Sequence, residues 1–261
     1  MRLPIFQVDA FTNELFRGNP AAVCPLEEWL PDQLMQAIAM ENNLSETAFF
    51  LGKEGLYEIR WFTPISEVDL CGHATLAAAF VIFTFKEPHR MMLRFHSKSG
   101  ALEVSNNGDT IALDFPAAFG EQRPAPPLIS QALGVPPIEY YFGDSHLVLL
   151  ESEKVVASLT PNLELIARLP GMGLVVTARG EQCDFVSRYF APQIGINEDP
   201  VTGATHCYLV PYWAKRLGKS ALYAKQLSAR GGELFCEDRG ERVSIAGHAV
   251  MYLQGEITIS S

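Results

Sequence analysis

Three side chains in this 261-residue chain are set where they can move protons. Glu46 lies in Asn42-Asn43-Leu44-Ser45-Glu46-Thr47-Ala48-Phe49-Phe50, between a helical pattern and an apolar strand. A carboxyl group at such a junction is partly desolvated, which raises its pKa toward a useful range. His73 follows Gly72, and Asp199 precedes Pro200-Val201-Thr202-Gly203. Each has a plainer reading beside the chemical one: a solvated glutamate at a strand start, a capping histidine, and an aspartate that caps the next helix.

Two glycine turns give these groups a setting. Gly72-His73-Ala74-Thr75 and Gly203-Ala204-Thr205-His206 each end a polar loop and open an apolar helix. The first N–H groups of a helix lack intrahelical partners and sit at its positive end, so each turn can bind an anion such as a carboxylate. Two ordinary helix starts are the bland alternative.

Other chemistries fit less well. Cys71 precedes Gly72-His73, but a two-thiol racemase needs a second cysteine at the matching place, and that stretch reads Asp199-Pro200-Val201-Thr202-Gly203. Cys207 falls past the turn. The chain has no GxSxG, GxGxxG, P-loop or HExxH motif and no repeated His/Cys ligand spacing. Acid–base chemistry without a cofactor or metal is the expectation. The 20 basic and 30 acidic residues leave a net charge of −10, which argues against nucleic acid or an anionic membrane as partner. The longest apolar run, residues 76–85, is too short to span a bilayer. Five scattered cysteines and a start without a signal-peptide core point to the cytoplasm.

The elements that must position these groups are mostly strands. Alternating patterns occur at 57–61, 93–96 and 111–115, the last after Asn106-Asn107-Gly108-Asp109, whose Asn-Gly pair signals a hairpin. Further strands are expected near 147–150, 174–177, 183–190, 242–245 and 249–253. Residues 31–40 have helical spacing with Pro31 at the start. Residues 74–85 are apolar on every side, so that helix must be enclosed by strands, and 208–217 is a milder second case.

A proline-rich stretch at 116–137 separates two similar halves and reads as a linker followed by a short helix. Trp61-Phe62-Thr63-Pro64 is answered by Tyr189-Phe190-Ala191-Pro192. Glu67 and Asp69 are answered by Glu198 and Asp199, and one glycine turn by the other. The order is the same each time, which indicates an internal duplication. The expectation is an α+β protein of two pseudo-symmetric domains, 1–116 and 117–261, each a mostly antiparallel barrel-like sheet around a central helix. The last strand is allowed to pack on the first domain. The two domains would face each other across a cleft, with Asp199 opposite His73.

At these residues the sequence resembles the PhzF family of phenazine-biosynthesis-like isomerases, within the diaminopimelate epimerase superfamily. The matching segments are Gly18-Asn19-Pro20-Ala21-Ala22-Val23, Asn43 to Phe49, Arg60 to Pro64, Glu67 to Thr75, Ser187 to Pro192, Glu198 to Gly203, Gly247 to Val250 and Gly255 to Ile257. The resemblance implies a homodimer of two-domain subunits and a cofactor-free isomerase. In it Glu46 is the general acid/base, His73 and Asp199 assist, and the substrate is a small carboxylate. Substrate contacts are then expected at Ser45, Gly72, Ala74, Thr202, Gly203 and Ala204. Members commonly have Ser-Ala where this chain has Ala204-Thr205, a departure that bears on the substrate more than on proton transfer. A non-catalytic carboxylate binder and a thiol-dependent epimerase using Cys71 are the rival readings.

Overall fold

The computed structural model describes residues 1–259, and the chain divides into two compact units. The first comprises Met1–Phe115 with the described residues from Ser244 onward, the second Pro116–Val243. The second unit ends at Val243 rather than at the chain's end because the final strand lies along the first.

In chain order, the first unit carries β1 (Arg2–Ala10), β2 (Asn19–Pro25), α1 (Asp32–Asn42), β3 (Glu46–Lys53), β4 (Leu56–Phe62), β5 (Glu67–Val68), α2 (Gly72–Val81), β6 (Met92–Ser97), β7 (Gly100–Asn106) and β8 (Ile111–Pro116). The chain continues through β9 (Glu121–Gln122), α3 (Pro127–Leu133), β10 (Glu139–Phe142), β11 (His146–Leu149), α4 (Glu153–Ser158), α5 (Leu163–Ile166), β12 (Leu174–Arg179), β13 (Phe185–Ala191), β14 (Ile196–Asp199), α6 (Gly203–Leu217), β15 (Ala221–Gln226), β16 (Gly232–Asp238), β17 (Arg242–Gly247) and β18 (Ala249–Thr258).

The duplication expected from the sequence is written in the pairing. β2 runs parallel to β3 and β11 parallel to β12, each after a helical crossover, which a parallel pair requires. β3 and β12 then turn back antiparallel into β4 and β13. After the central helix, β6 returns parallel to β4 and β15 parallel to β13. A ten-residue apolar helix follows the short strand β5, and a fifteen-residue one follows β14.

The first central helix shows why its sequence needs enclosure. Every residue of α2 except Gly72 and Phe80 is buried, and its Ala77-Ala78-Ala79 run lets β1, β2 and β3 approach closely. The helical pattern at 74–85 starts earlier than expected, at Gly72. Its last turn widens to a π-turn over Ile82–Lys86, where Glu87 N–H donates to the Ile82 carbonyl. Phe85 there stacks on Phe6 at 5.3 Å. Behind the sheet, Met35, Ile38 and Ala39 of α1 pack on Cys24, Phe49 and Phe62.

In the second unit, Trp213 of α6 stacks on Phe185 of β13 at 5.7 Å and donates Nε1–H to Thr177. On the other sheet face, Ile129, Leu133, Val156 and Ile166 from α3, α4 and α5 cover Val148, Val176 and Phe190. Among the described residues no helix is long and apolar enough to cross a membrane.

Candidate active site

Glu46 is the first residue of β3 and is 8% exposed, because β3 lies between β2 and β4 and its opening residues point into the unit. His73 is the second residue of α2 and equally buried. Nε2 of His73 lies 3.0 Å from Oε2 of Glu46. The contact has ion-pair length but not the direction of a hydrogen bond, and both atoms stand as buried polar atoms without a hydrogen-bond partner.

The opposite edge of the imidazole faces two other groups. Nδ1 is 3.2 Å from the Asn19 side-chain nitrogen and 3.5 Å from Cys71 Sγ. Burial disfavours a charged His73, while Cys71 and Glu46 beside it favour one, and the balance lies above the ordinary histidine value. Burial and the Glu46 charge push the Cys71 thiol up to about 11, so at neutral pH it is a neutral thiol.

Glu46, Cys71 and His73 bring one potential ligand atom each within 4.8 Å of one another. A histidine gives a metal ion one ring nitrogen, and here Cys71 and Glu46 flank different nitrogens. Ser45 is half-buried beside Glu46, and Gly72 and Ala74 flank His73 at the helix start. No side chain caps α2 at Cys71, which leaves the opening amides of the helix to other partners.

The second unit gathers its own residues around the start of α6. Asp199 ends β14 and is 7% exposed. Thr202 Oγ1 donates to its Oδ2 at 2.5 Å, and Gln226 Nε2 donates to its backbone carbonyl at 2.8 Å. The Gln226 carbonyl oxygen accepts the Thr202 N–H at 2.9 Å, so one amide staples both ends of the turn. Gly203 is buried and Ala204 exposed at the first turn of α6. His206 Nδ1–H donates to the Thr202 carbonyl at 2.8 Å, and burial lowers its pKa to about 4.

The two glycine turns match in register, and the match sorts the acidic residues. Arg60 on β4 grips Glu67 with two bonds of 2.7 and 2.9 Å, and Arg188 on β13 grips Glu198 with the same two lengths. Each guanidinium also lies over a phenylalanine two residues on, Phe62 at 5.2 Å and Phe190 at 5.0 Å. Glu67 and Glu198 are thus matched structural acids, which tie β5 and β14 to their neighbours. Counting on from them, Cys71 corresponds to Thr202 and each is the N-cap residue of its helix. Asp69 is exposed and Asp199 buried, so the second acids of the two pairs are not equivalents.

Asn19, Gln226 and His206 are neighbours that the sequence reading did not assign. Asn19 stands in the Gly18-Asn19-Pro20 segment, and His206 in the second glycine turn. Gln226 carries no local signal, since it arrives from β15, more than twenty residues away in sequence.

A family model described as phenazine biosynthesis-like protein matches residues 8–255. An uncharacterised isomerase of Pseudomonas aeruginosa is 54% identical over 261 residues, covering both chains completely. A second from the same organism is 52% identical over 257 residues, 98% of this chain and 99% of that one. The crystal structure of a phenazine biosynthesis protein of the PhzF family from Enterococcus faecalis superposes with a TM-score of 0.97 at 48% identity, covering 99% of this chain and 100% of that one.

Proposed function

The chain belongs to the phenazine biosynthesis-like PhzC-PhzF family, and on that premise we propose that it is an isomerase that moves a proton on a small carboxylate with Glu46 as general acid and base. One observation carries the reading. A buried carboxylate oxygen and a buried imidazole nitrogen stand 3.0 Å apart without completing a hydrogen bond to each other. Leaving such atoms unsatisfied costs about 1–3 kcal/mol each, a cost recovered when a substrate group enters and completes the geometry.

In this reading Glu46 takes a proton from a carbon activated by a neighbouring unsaturated group or carboxylate. It returns that proton to another carbon or to the opposite face. His73 holds the carboxylate in place and shares its proton. The uncapped start of α2 supports the substrate carboxylate and the charge that develops in the transition state. Asp199 and the opening residues of α6, Thr202, Gly203 and Ala204, are assigned an auxiliary role on the substrate's polar groups. The reading needs no cofactor, since base, donor and anion-binding amides all belong to the chain. A homodimer is the proposed assembly, to be read by light scattering.

The test is a metabolite pool incubated in D2O with the wild type and with Glu46→Gln, followed by mass spectrometry. Deuterium is expected to enter one product class with the wild type and none with the variant. Undiminished incorporation with Glu46→Gln overturns the assignment of the base. Asp199→Asn in the same experiment is expected to slow incorporation without abolishing it.

A further inference from the structure

We propose that, once His73 has given up the second proton it holds at lower pH, Asn19 and Cys71 hold the neutral ring in the tautomer whose single proton is on Nε2, facing Glu46, which makes Asn19 a positioning residue for the acid–base pair. The inference rests on the reading of Glu46 and His73 as that pair, but its evidence is the arrangement around one ring.

Three neighbours select the same proton placement. The Asn19 amide nitrogen, a donor only, is 3.2 Å from Nδ1, so Nδ1 must offer its lone pair. Cys71 Sγ is 3.5 Å from the same nitrogen, and a neutral thiol there has one S–H to give. A carboxylate oxygen has only lone pairs to present, so Glu46 Oε2 at 3.0 Å, although off the direction of a hydrogen bond, favours an N–H over a lone pair on Nε2. The other tautomer would set two donors against an N–H on one edge and lone pairs against each other on the opposite edge.

Asn19 is built to hold this orientation. It is fully buried at the first position of β2, where it pairs with Ala10 of β1. The preceding Gly18 has φ +63°, and a Cβ there would stand 2.2 Å from the Ala10 carbonyl oxygen. That turn delivers the chain into β2 with the Asn19 side chain inward, against the Nδ1 edge of the imidazole. With the proton on Nε2, His73 steadies Oε2 of Glu46 and leaves Oε1 as the oxygen that takes a proton from carbon.

The experiment uses protein labelled with 15N-histidine and two-bond 15N–1H correlation at a pH above the His73 titration. The six histidines are separated by comparison with His73→Gln. The wild-type His73 is expected to show a pyrrole-type Nε2 and a pyridine-type Nδ1, with the other tautomer at about a tenth or less, equivalent to at least about 1.4 kcal/mol. A pyridine-type Nε2 with a pyrrole-type Nδ1 overturns the proposal, and it would mean that the Asn19 amide presents its oxygen. Asn19→Asp places an acceptor against Nδ1 and is expected to keep both nitrogens protonated to a higher pH than in the wild type. Should that variant not fold, the wild-type spectrum alone decides. A reversed tautomer leaves the deuterium test of Glu46 untouched, and deuterium uptake by Glu46→Gln leaves the tautomer untouched, so the two failures are distinct.

Discussion

His73 presents opposite edges of one ring to Glu46 and Cys71, with Nε2 3.0 Å from the carboxylate and Nδ1 3.5 Å from the thiol. Removing the ring should leave Glu46 buried without the group that steadies it. His73→Gln is expected to lower the rate of solvent-deuterium incorporation by about 10²–10⁴-fold, the usual range for a lost acid–base partner. A variant within threefold of the wild type would show that Glu46 works alone.

Cys71 should be a poor nucleophile despite its place at a helix start. It is 6% exposed and its thiol is pushed up to about 11, chiefly by burial. At pH 7.5 iodoacetamide is expected to label Cys71 at least about 100-fold more slowly than an unstructured thiol with the ordinary pKa of about 8.5. Peptide mass spectrometry reads the rate. Rapid labelling of the folded protein would revive a thiol-dependent mechanism.

The two arginine clamps should differ in what they hold. Arg188 grips Glu198 and also donates to the carbonyls of Val156 and Leu159, at 3.2 and 2.8 Å, whereas the further hydrogen bond of Arg60 goes to exposed Asp32. Arg188→Ala therefore strands a carboxylate and two carbonyls and is expected to cost about 3 kcal/mol in urea unfolding, with Arg60→Ala costing less. The Arg60 guanidinium holds the Glu67 carboxyl down at about 2. The stability this pair contributes is present above the ordinary carboxylate value of about 4.5 and is lost as the pH falls from there toward about 2.

Buried His206 should make the fold acid-sensitive in a higher window. Burial lowers its pKa to about 4 from an ordinary value of 6.5. The unfolded chain binds that proton first, so stability is full above about 6.5 and falls as the pH drops through about 4. Its contribution to the loss is on the order of 3 kcal/mol, and His146, also lowered by burial, adds in the same direction. Urea midpoints measured from pH 7.5 to 4 are expected to fall less steeply for His206→Asn than for the wild type.

Gly18 should tolerate no side chain. Its φ of +63° disfavours any L-residue, and the nearby Ala10 carbonyl leaves no room for a Cβ. Gly18→Ala is expected to cost more than about 1 kcal/mol in urea unfolding and to displace Asn19. A change in the His73 nitrogen shifts in the folded variant would accompany it.

Much of the fold was legible because it follows from local pattern. Period-two alternation marked β4, β6 and β8, and the Asn107-Gly108 pair marked the hairpin between β7 and β8. A helix without a polar face had to be enclosed, and α2 is. The repeated order of motifs announced the duplication before any pairing was known. Glu46 and His73 were legible as separate candidates, each at the edge of an element. Their mutual approach was not, because residues 27 positions apart meet only through the pairing of β2 with β3 and the seating of α2 against both.

The amino-acid sequence by itself determined the family, the two-fold repetition, the strand and helix types and the residues able to carry protons. These depend on side-chain chemistry and short-range periodicity, which the linear order contains. Only the tertiary structure decided which acid lies against a buried histidine and which are held in arginine clamps. Glu67 and Glu198 look as reactive on paper as Glu46, yet each is neutralised by an arginine from the adjoining strand. Only the fold could bring Asn19 to the Nδ1 edge of the imidazole and Gln226 across the second turn, since burial and strand register are properties of packing rather than of neighbours in sequence.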